Sequence, residues 1–228
     1  MSMTPILVTA TTFSEIKNIP VIVRVPDGTT HLPDRAFKGY SLIKEVILPA
    51  SLISIGESCF QNCEILEKVT FLGNNLTWVG DYAFQRCNSL EQITIPNSVT
   101  FIGNYAFCET SLKQIVIPNG VTSIGEYSFC RCSSLEQIAF LGNNLTSIGD
   151  GAFARCNSLE QIAISNSVTS IGDFAFWKCT SLKQITFLGN SVTSIGDCAF
   201  ARCNQPRSSN FGSTRGNWRR YFHRMHQT

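Results

Sequence analysis

Ten cysteines are the first residues in this 228-residue chain whose types suggest chemistry. Cys59 and Cys63 lie four apart, and Cys130 and Cys132 lie two apart. Zinc takes four convergent ligands, usually from paired C-x2-4-C knuckles. Those two pairs fall in different copies of a repeat, and before the tail only His31 could add a nitrogen ligand. No metal is expected. Cys63, Cys87, Cys132, Cys156, Cys179 and Cys203 each follow a phenylalanine by three residues, a place taken elsewhere by Thr110 and Tyr40. A thiol that alternates with Thr and Tyr reads as a packing residue, since a buried Cys behaves as a small hydrophobe. Nucleophilic catalysis needs a base beside Ser or Cys, and the body offers only His31 at a turn. No phosphate-cradling glycine loop and no non-repeating carboxylate pair appear, so neither a cofactor nor an enzyme activity is expected. Asn75-Leu76-Thr77 and Asn144-Leu145-Thr146 match the N-glycosylation acceptor pattern, but both fall inside the repeat and are read as unused.

The elements that carry these residues are copies of one unit. An Ile-Gly or Val-Gly pair begins at Ile55, Val79, Ile102, Ile124, Ile148, Ile171 and Ile195, in steps of 22 to 24 residues. A phenylalanine follows each, at Phe60, Phe84, Phe107, Phe129, Phe153, Phe176 and Phe200; a diverged leading copy carries Phe37. Each copy also holds an L-x-x-I-x-I/F segment, such as Leu90, Ile93 and Ile95. Side chains alternate along a strand, so Ile93 and Ile95 point inward and Gln92 and Thr94 outward. Stacked copies give a parallel sheet over a ladder of Leu, Ile and Phe. Pro96-Asn97 and Leu72-Gly73-Asn74 then turn the chain. The V-T-x-I-G stretch begins the return leg. Its glycine, Gly172 for example, is expected where a side chain does not fit or φ is positive. Asp-x-Ala-Phe reads as a short helical or 3₁₀ turn. One repeat cannot bury its apolar face alone, whereas a stack can.

The segment SLEQITIPNSVTFIGNYAF (residues 89–107), together with FWKCTSLKQI (176–185), resembles the BspA-type (treponemal-type) leucine-rich repeat. The resemblance covers about residues 20–204. It implies a right-handed, β-rich superhelical solenoid with the parallel sheet on the concave face. Turns, short strands and 3₁₀ or short helical turns would form the convex side. Family members are mostly adhesive or protein-binding modules, often on cell surfaces, and their pattern carries no catalytic residues.

The outward positions of the strands are then the candidate contact surface. One column reads Lys68, Gln92, Gln114, Gln137, Gln161 and Gln184; its neighbour reads Thr70, Thr94, Val116, Ala139, Ala163 and Thr186. A glutamine row beside small or apolar residues suits an extended protein surface, and a protein-interaction scaffold is the expected function. The alternative is a cell-surface adhesin or ligand-binding ectodomain whose signal lies upstream. The start MSMTPILVTATTFSEIK has no basic region before its short apolar run. No stretch approaches the roughly 18 apolar residues that span a bilayer. The expectation is therefore a cytoplasmic protein with no membrane span, and a reducing cytosol would leave its cysteines unbonded even where stacked rungs bring them close.

Residues divide into a lead-in (1–19), the repeat array (20–204) and a basic tail (205–228). Net charge is +2, too small to point to nucleic acid or acidic membranes. Five arginines lie after Asn204, leaving 13 basic against 16 acidic residues before it. After Asn204 the expected Ser-Leu-Glu-Gln-Ile gives way to Gln-Pro-Arg-Ser-Ser-Asn. We read this as a one-base frameshift in the gene or its recorded reading, because allowed codons read one base later restore N-L-E-A-A-T-L-G. Taken as written, the tail mixes cations and aromatics at Arg215–Arg224, but is read as a disordered end and not a nucleic-acid segment. An array that ends without a polar cap favours self-association through its last repeat.

Overall fold

In a computed structural model the described residues are 20–204, with the backbone of two further strands at residues 6–7 and 207–209. Most of the lead-in and the tail, including the frameshift reading and the Arg215–Arg224 segment, lie outside the described residues.

Every repeat within residues 20–204 contributes a strand of four to six residues, shortened to two at Gln92–Ile93, and a second strand of two residues. The chain begins with β1 (Ile6–Leu7), β2 (Val21–Arg24), β3 (His31–Leu32), β4 (Ile43–Leu48) and β5 (Ser54–Ile55). It continues through β6 (Lys68–Phe71), β7 (Trp78–Val79), β8 (Gln92–Ile93) and β9 (Phe101–Ile102). Next come β10 (Gln114–Ile117), β11 (Ser123–Ile124), β12 (Gln137–Phe140), β13 (Ser147–Ile148) and β14 (Gln161–Ile164). The last are β15 (Ser170–Ile171), β16 (Gln184–Phe187), β17 (Ser194–Ile195) and β18 (Arg207–Ser209). All pairings are parallel, and each joins one rung to the next.

The short strands β3 through β17 form one unbroken eight-stranded sheet. Its inward residues, such as Ile124, Ile148 and Ile171, are in register and buried. The threonine of V-T-x-I-G has a bonding role: Thr100, Thr146, Thr169 and Thr193 each donate from Oγ1 to the carbonyl of the preceding rung's threonine (3.0–3.2 Å).

The longer strands do not form the continuous sheet expected. They fall into three groups, β1-β2-β4-β6-β8, β10-β12 and β14-β16-β18. The first interruption coincides with a shorter rung: Phe107 and Leu112 are five apart where Phe84 and Leu90 are six apart, yet Lys113 N still donates to Glu91 O (3.1 Å), as Glu136 N does to Lys113 O (2.8 Å). Thr110, in the usual cysteine place, compensates by donating to Phe107 O (2.9 Å). The break between β12 and β14 has no matching deletion. At the C-terminal end, β18 pairs with β16 (Gln184 opposite Arg207), so backbone pairing resumes inside the segment assigned to the tail.

The Asp-x-Ala-Phe stretch is neither helical nor 3₁₀. Alternate N–H groups leave the rung: Tyr82, Phe84 and Arg86 donate to the carbonyls of Asn104, Ala106 and Cys108, while Ala83, Gln85 and Cys87 bond within the rung to the residue three back. This alternation places Tyr82 and Arg86 at φ 57° and 58°, and the same two places in most other repeats are also left-handed. Non-glycine residues in that region cost on the order of 1 kcal/mol or more. The bonds to the next rung offset that cost, and a 3₁₀ turn would forgo them.

The core is a spine of stacked rings. Phe37, Phe60, Phe84, Phe107, Phe129, Phe153, Phe176 and Phe200 follow one another at 5.0–5.4 Å. Gly172 resolves the two explanations for the repeat glycine. Its φ is ordinary, and a Cβ there would sit 2.6 Å from Asp150 N and 2.8 Å from Gly149 C. Close backbone approach therefore demands it. The next residue completes the joint, as when Asp173 N donates to Asp150 Oδ1 (2.8 Å).

Candidate functional site

The strand registers bring the outward residues into rows. Lys68 lies opposite Gln92, Gln114 opposite Gln137, and Gln161 opposite Gln184. In the neighbouring row Val116 faces Ala139 and Ala163 faces Thr186. The glutamines are exposed, and Val116 is 44 % exposed, a large fraction for an aliphatic side chain with no role in the core. Thr70 and Thr186 are half-buried, the latter accepting a hydrogen bond from Gln184 Nε2 (3.2 Å). Thr94 lies just past the end of β8.

A groove of about 1060 Å³ runs over β4, β6 and β8. It gathers four of the twelve predicted contact residues, Lys68, Thr70, Gln92 and Thr94, beside Glu45, Glu67 and Glu91. The other eight continue the same rows outside the groove. Ion pairs cross the rungs along its margin, Lys68–Glu45 at 3.9 Å and Lys113–Glu91 at 2.6 Å. The Glu91 carboxylate, chiefly through that hydrogen bond, raises the Lys113 pKa. Such exposed pairs contribute little stability, but they fix which charges face a visitor. The half-exposed Ile93 and Phe71 supply apolar patches on the groove wall.

The six repeat cysteines point away from this face. Cys63, Cys87, Cys132, Cys156, Cys179 and Cys203 donate from Sγ to the carbonyl of a phenylalanine on the preceding rung (3.0–3.3 Å). Burial pushes the thiols of Cys87, Cys156 and Cys179 up, and those of Cys63 and Cys132 to about 12 and about 11, so these five are neutral and poor nucleophiles. Among the described residues no three Cys, His, Asp or Glu side chains gather as a metal site. His31 is exposed, with Nδ1 2.9 Å from Thr30 Oγ1.

One cysteine expectation is overturned. Cys108 and Cys130 are disulfide-bonded. They occupy the position directly after Phe107 and Phe129 in adjacent rungs, which sets their Cα atoms 4.6 Å apart, inside the range a disulfide bridges. The argument from compartment missed a pair that the repeat register aligns.

Sequence reasoning also passed over Trp78 and Phe101. They stack at 3.7 Å on the outer side of the short-strand sheet, in a row that is otherwise mostly serine. The signal was present, since T-W-V-G and T-F-I-G depart from the T-S-I-G of later copies.

Comparison with known proteins follows the same lines. The family model "BspA type Leucine rich repeat region" matches residues 8–136 and 100–225. A leucine-rich repeat protein from Bacteroides ovatus ATCC 8483 is 29 % identical with a TM-score of 0.76, over 81 % of this chain and 50 % of its own. A leucine-rich repeat protein of T. pallidum is 24 % identical with a TM-score of 0.63, over 92 % and 85 %. One from Eubacterium ventriosum ATCC 27560 is 24 % identical with a TM-score of 0.58, over 85 % and 60 %. This chain thus spans half the length of the B. ovatus protein. No functionally curated protein matches the sequence.

Proposed function

The chain belongs to the BspA-type leucine-rich-repeat family, and from that premise we propose that it is a non-enzymatic scaffold that binds a protein partner on its long-strand face. The observation that carries this is the row geometry: exposed glutamines in register beside small or apolar residues, with a groove at one end. Glutamine side chains supply both donors and acceptors, and a regular row of them offers a partner segment repeated hydrogen bonds. Val116, Ala139 and Ala163 leave the neighbouring row low and apolar, which suits close approach.

The test compares the full chain with a variant carrying Gln114→Arg, Gln137→Arg and Gln161→Arg in pull-downs, after circular dichroism shows both folded. Partners captured by the native chain and lost in the variant support the reading. Equal capture by both removes the long-strand face from consideration.

A second reading, a surface or secreted ligand-binding domain, draws on the Cys108–Cys130 disulfide. Disulfides persist in oxidising compartments and are rare in a reducing cytosol. No helix among the described residues is long and apolar enough to cross a membrane. A separate leader or anchor would supply export in that reading, and its test is whether antibody reaches the protein on intact cells.

A further inference from the structure

The turn side of the stack carries a second column of rings. Tyr82, Tyr105 and Tyr127 stack at 5.1 and 5.0 Å. The next rung has Gly151 in their place, at φ +58°, and a Cβ there would lie 2.2 Å from the Tyr127 ring. The column resumes with Phe174, which is 39 % exposed and meets Trp177 edge-on at 6.4 Å. Nearby is a slot of about 530 Å³, whose lining includes Tyr127, Phe174, Trp177, Ala154 and the Cys108–Cys130 disulfide. That volume falls within the range of small-ligand sites, which are mostly apolar with a few placed polar groups.

Its charged and amide lining is Gln85, Glu109, Arg131 and Arg155; Lys178 lies just outside it, against the Trp177 ring. In the adjoining column Glu109 sits between Arg86 and Arg131, at 3.0 and 2.8 Å, and pairs with both. From the next rung onward the column reads Arg155, Lys178 and Arg202. All three approach the Trp177 ring, at 4.9, 4.6 and 5.8 Å from its centroid. Among the described residues neither Arg155 nor Lys178 pairs with a carboxylate. Loss of solvent against the indole, then repulsion from Arg155 and Arg202, lowers the Lys178 pKa. An anion would relieve that repulsion and accept charge-assisted hydrogen bonds from both side chains. Rungs repeat at about 4.8 Å, whereas same-face side chains of an extended peptide repeat at about 6.6 Å. A strand of acidic residues would therefore fall out of step with the cations, and one compact anion would not.

We propose that this slot binds an aromatic ring bearing an anionic group, with the ring between Tyr127 and Phe174 beside Trp177 and the anion on Arg155 and Lys178. The site is separate from the long-strand face and stands without it. The ring and anion have two sources, a free aryl acid or phosphate, and a phosphorylated or sulfated tyrosine on a partner.

Calorimetric titration of the full chain tests this with phenyl phosphate, inorganic phosphate and phenol. Saturable binding of phenyl phosphate is expected, at least tenfold tighter than either fragment and weakening as salt is added. The paired substitution Arg155→Gln and Lys178→Gln should weaken it at least tenfold while the melting curve stays native. If that variant unfolds, Trp177→Leu replaces it and should reduce phenyl phosphate binding without altering that of inorganic phosphate. A phosphotyrosyl peptide binding tenfold tighter than phenyl phosphate identifies a protein side chain as the source; equal affinity identifies a free aryl anion. No saturable binding, inorganic phosphate binding as tightly, or indifference to the substitutions overturns the proposal.

Discussion

Replacing Phe129 with alanine tests the idea that stacked rings carry the stability of the array. The Phe129 side chain is fully buried, and its ring lies 5.3 Å from both Phe107 and Phe153. Phe→Ala in a packed core costs about 3–5 kcal/mol, from lost transfer energy plus the cavity left behind. Two lost ring stacks, about 0.5–1.5 kcal/mol each, place this site toward the upper half of that range. Leu188→Ala is the control, since Leu188 is 62 % exposed and should change stability by about 0.5 kcal/mol or less. Urea unfolding followed by circular dichroism gives both values. Coupling in a solenoid passes only between neighbours, so the Phe129 variant should also show a broadened or divided transition as the two halves uncouple. A cost below about 1 kcal/mol at Phe129, or one equal to that of Leu188→Ala, would refute the reasoning.

Three further outcomes are expected. Gly172→Ala pushes a methyl into Asp150 and Gly149 backbone atoms and should cost about 1–3 kcal/mol in a thermal melt; a neutral result would mean the rungs part easily. The Cys108–Cys130 bond closes a loop of sequence separation 22, so Cys108→Ala with Cys130→Ala should lower stability by about 3 kcal/mol. Alkylation of the unfolded, unreduced chain should then mark only the eight free cysteines, and marking of all ten would deny the bond. The pKa values of Cys63 and Cys132 are raised from 9.0 to about 12 and about 11, so the folded state holds protons that the unfolded state releases. Their contribution is complete below pH 9 and is lost as pH rises to about 11 for Cys132 and about 12 for Cys63, at about 1.4 kcal/mol per pH unit for each thiol within its own window. Denaturation midpoints that stay flat over this window would show that the thiols are not buried as described.

The periodic part of the fold was legible because packing repeats with the sequence. Ile124, Phe129 and Cys132 recur at fixed offsets, and each recurrence is a buried residue with the same neighbours one rung on. What escaped the sequence was how the backbone bonds are shared between rungs. Asp-x-Ala-Phe fits a 3₁₀ turn locally, and only the carbonyls of the adjacent rung make the left-handed residues at Tyr82 and Arg86 worthwhile. The missing residue before Leu112 was visible, but that the register resumes at Lys113 depends on the stack. The outward rows of glutamine followed directly from strand alternation. The turn-side slot did not, because its lining, Tyr127, Ala154, Phe174 and Trp177 among it, comes from positions that vary between copies. A search for consensus sets such exceptions aside, although Trp78, Trp177 and Gly151 are where this chain differs from its own pattern.

The most direct test of the long-strand face as the binding surface is site-specific photo-crosslinking in cells of the source organism. A photoreactive residue would replace Gln137 on that face in one protein and the exposed Thr146, beside the short-strand sheet, in another. The account predicts a discrete protein adduct from position 137 and none from position 146. An adduct from position 146 with none from position 137 would contradict it.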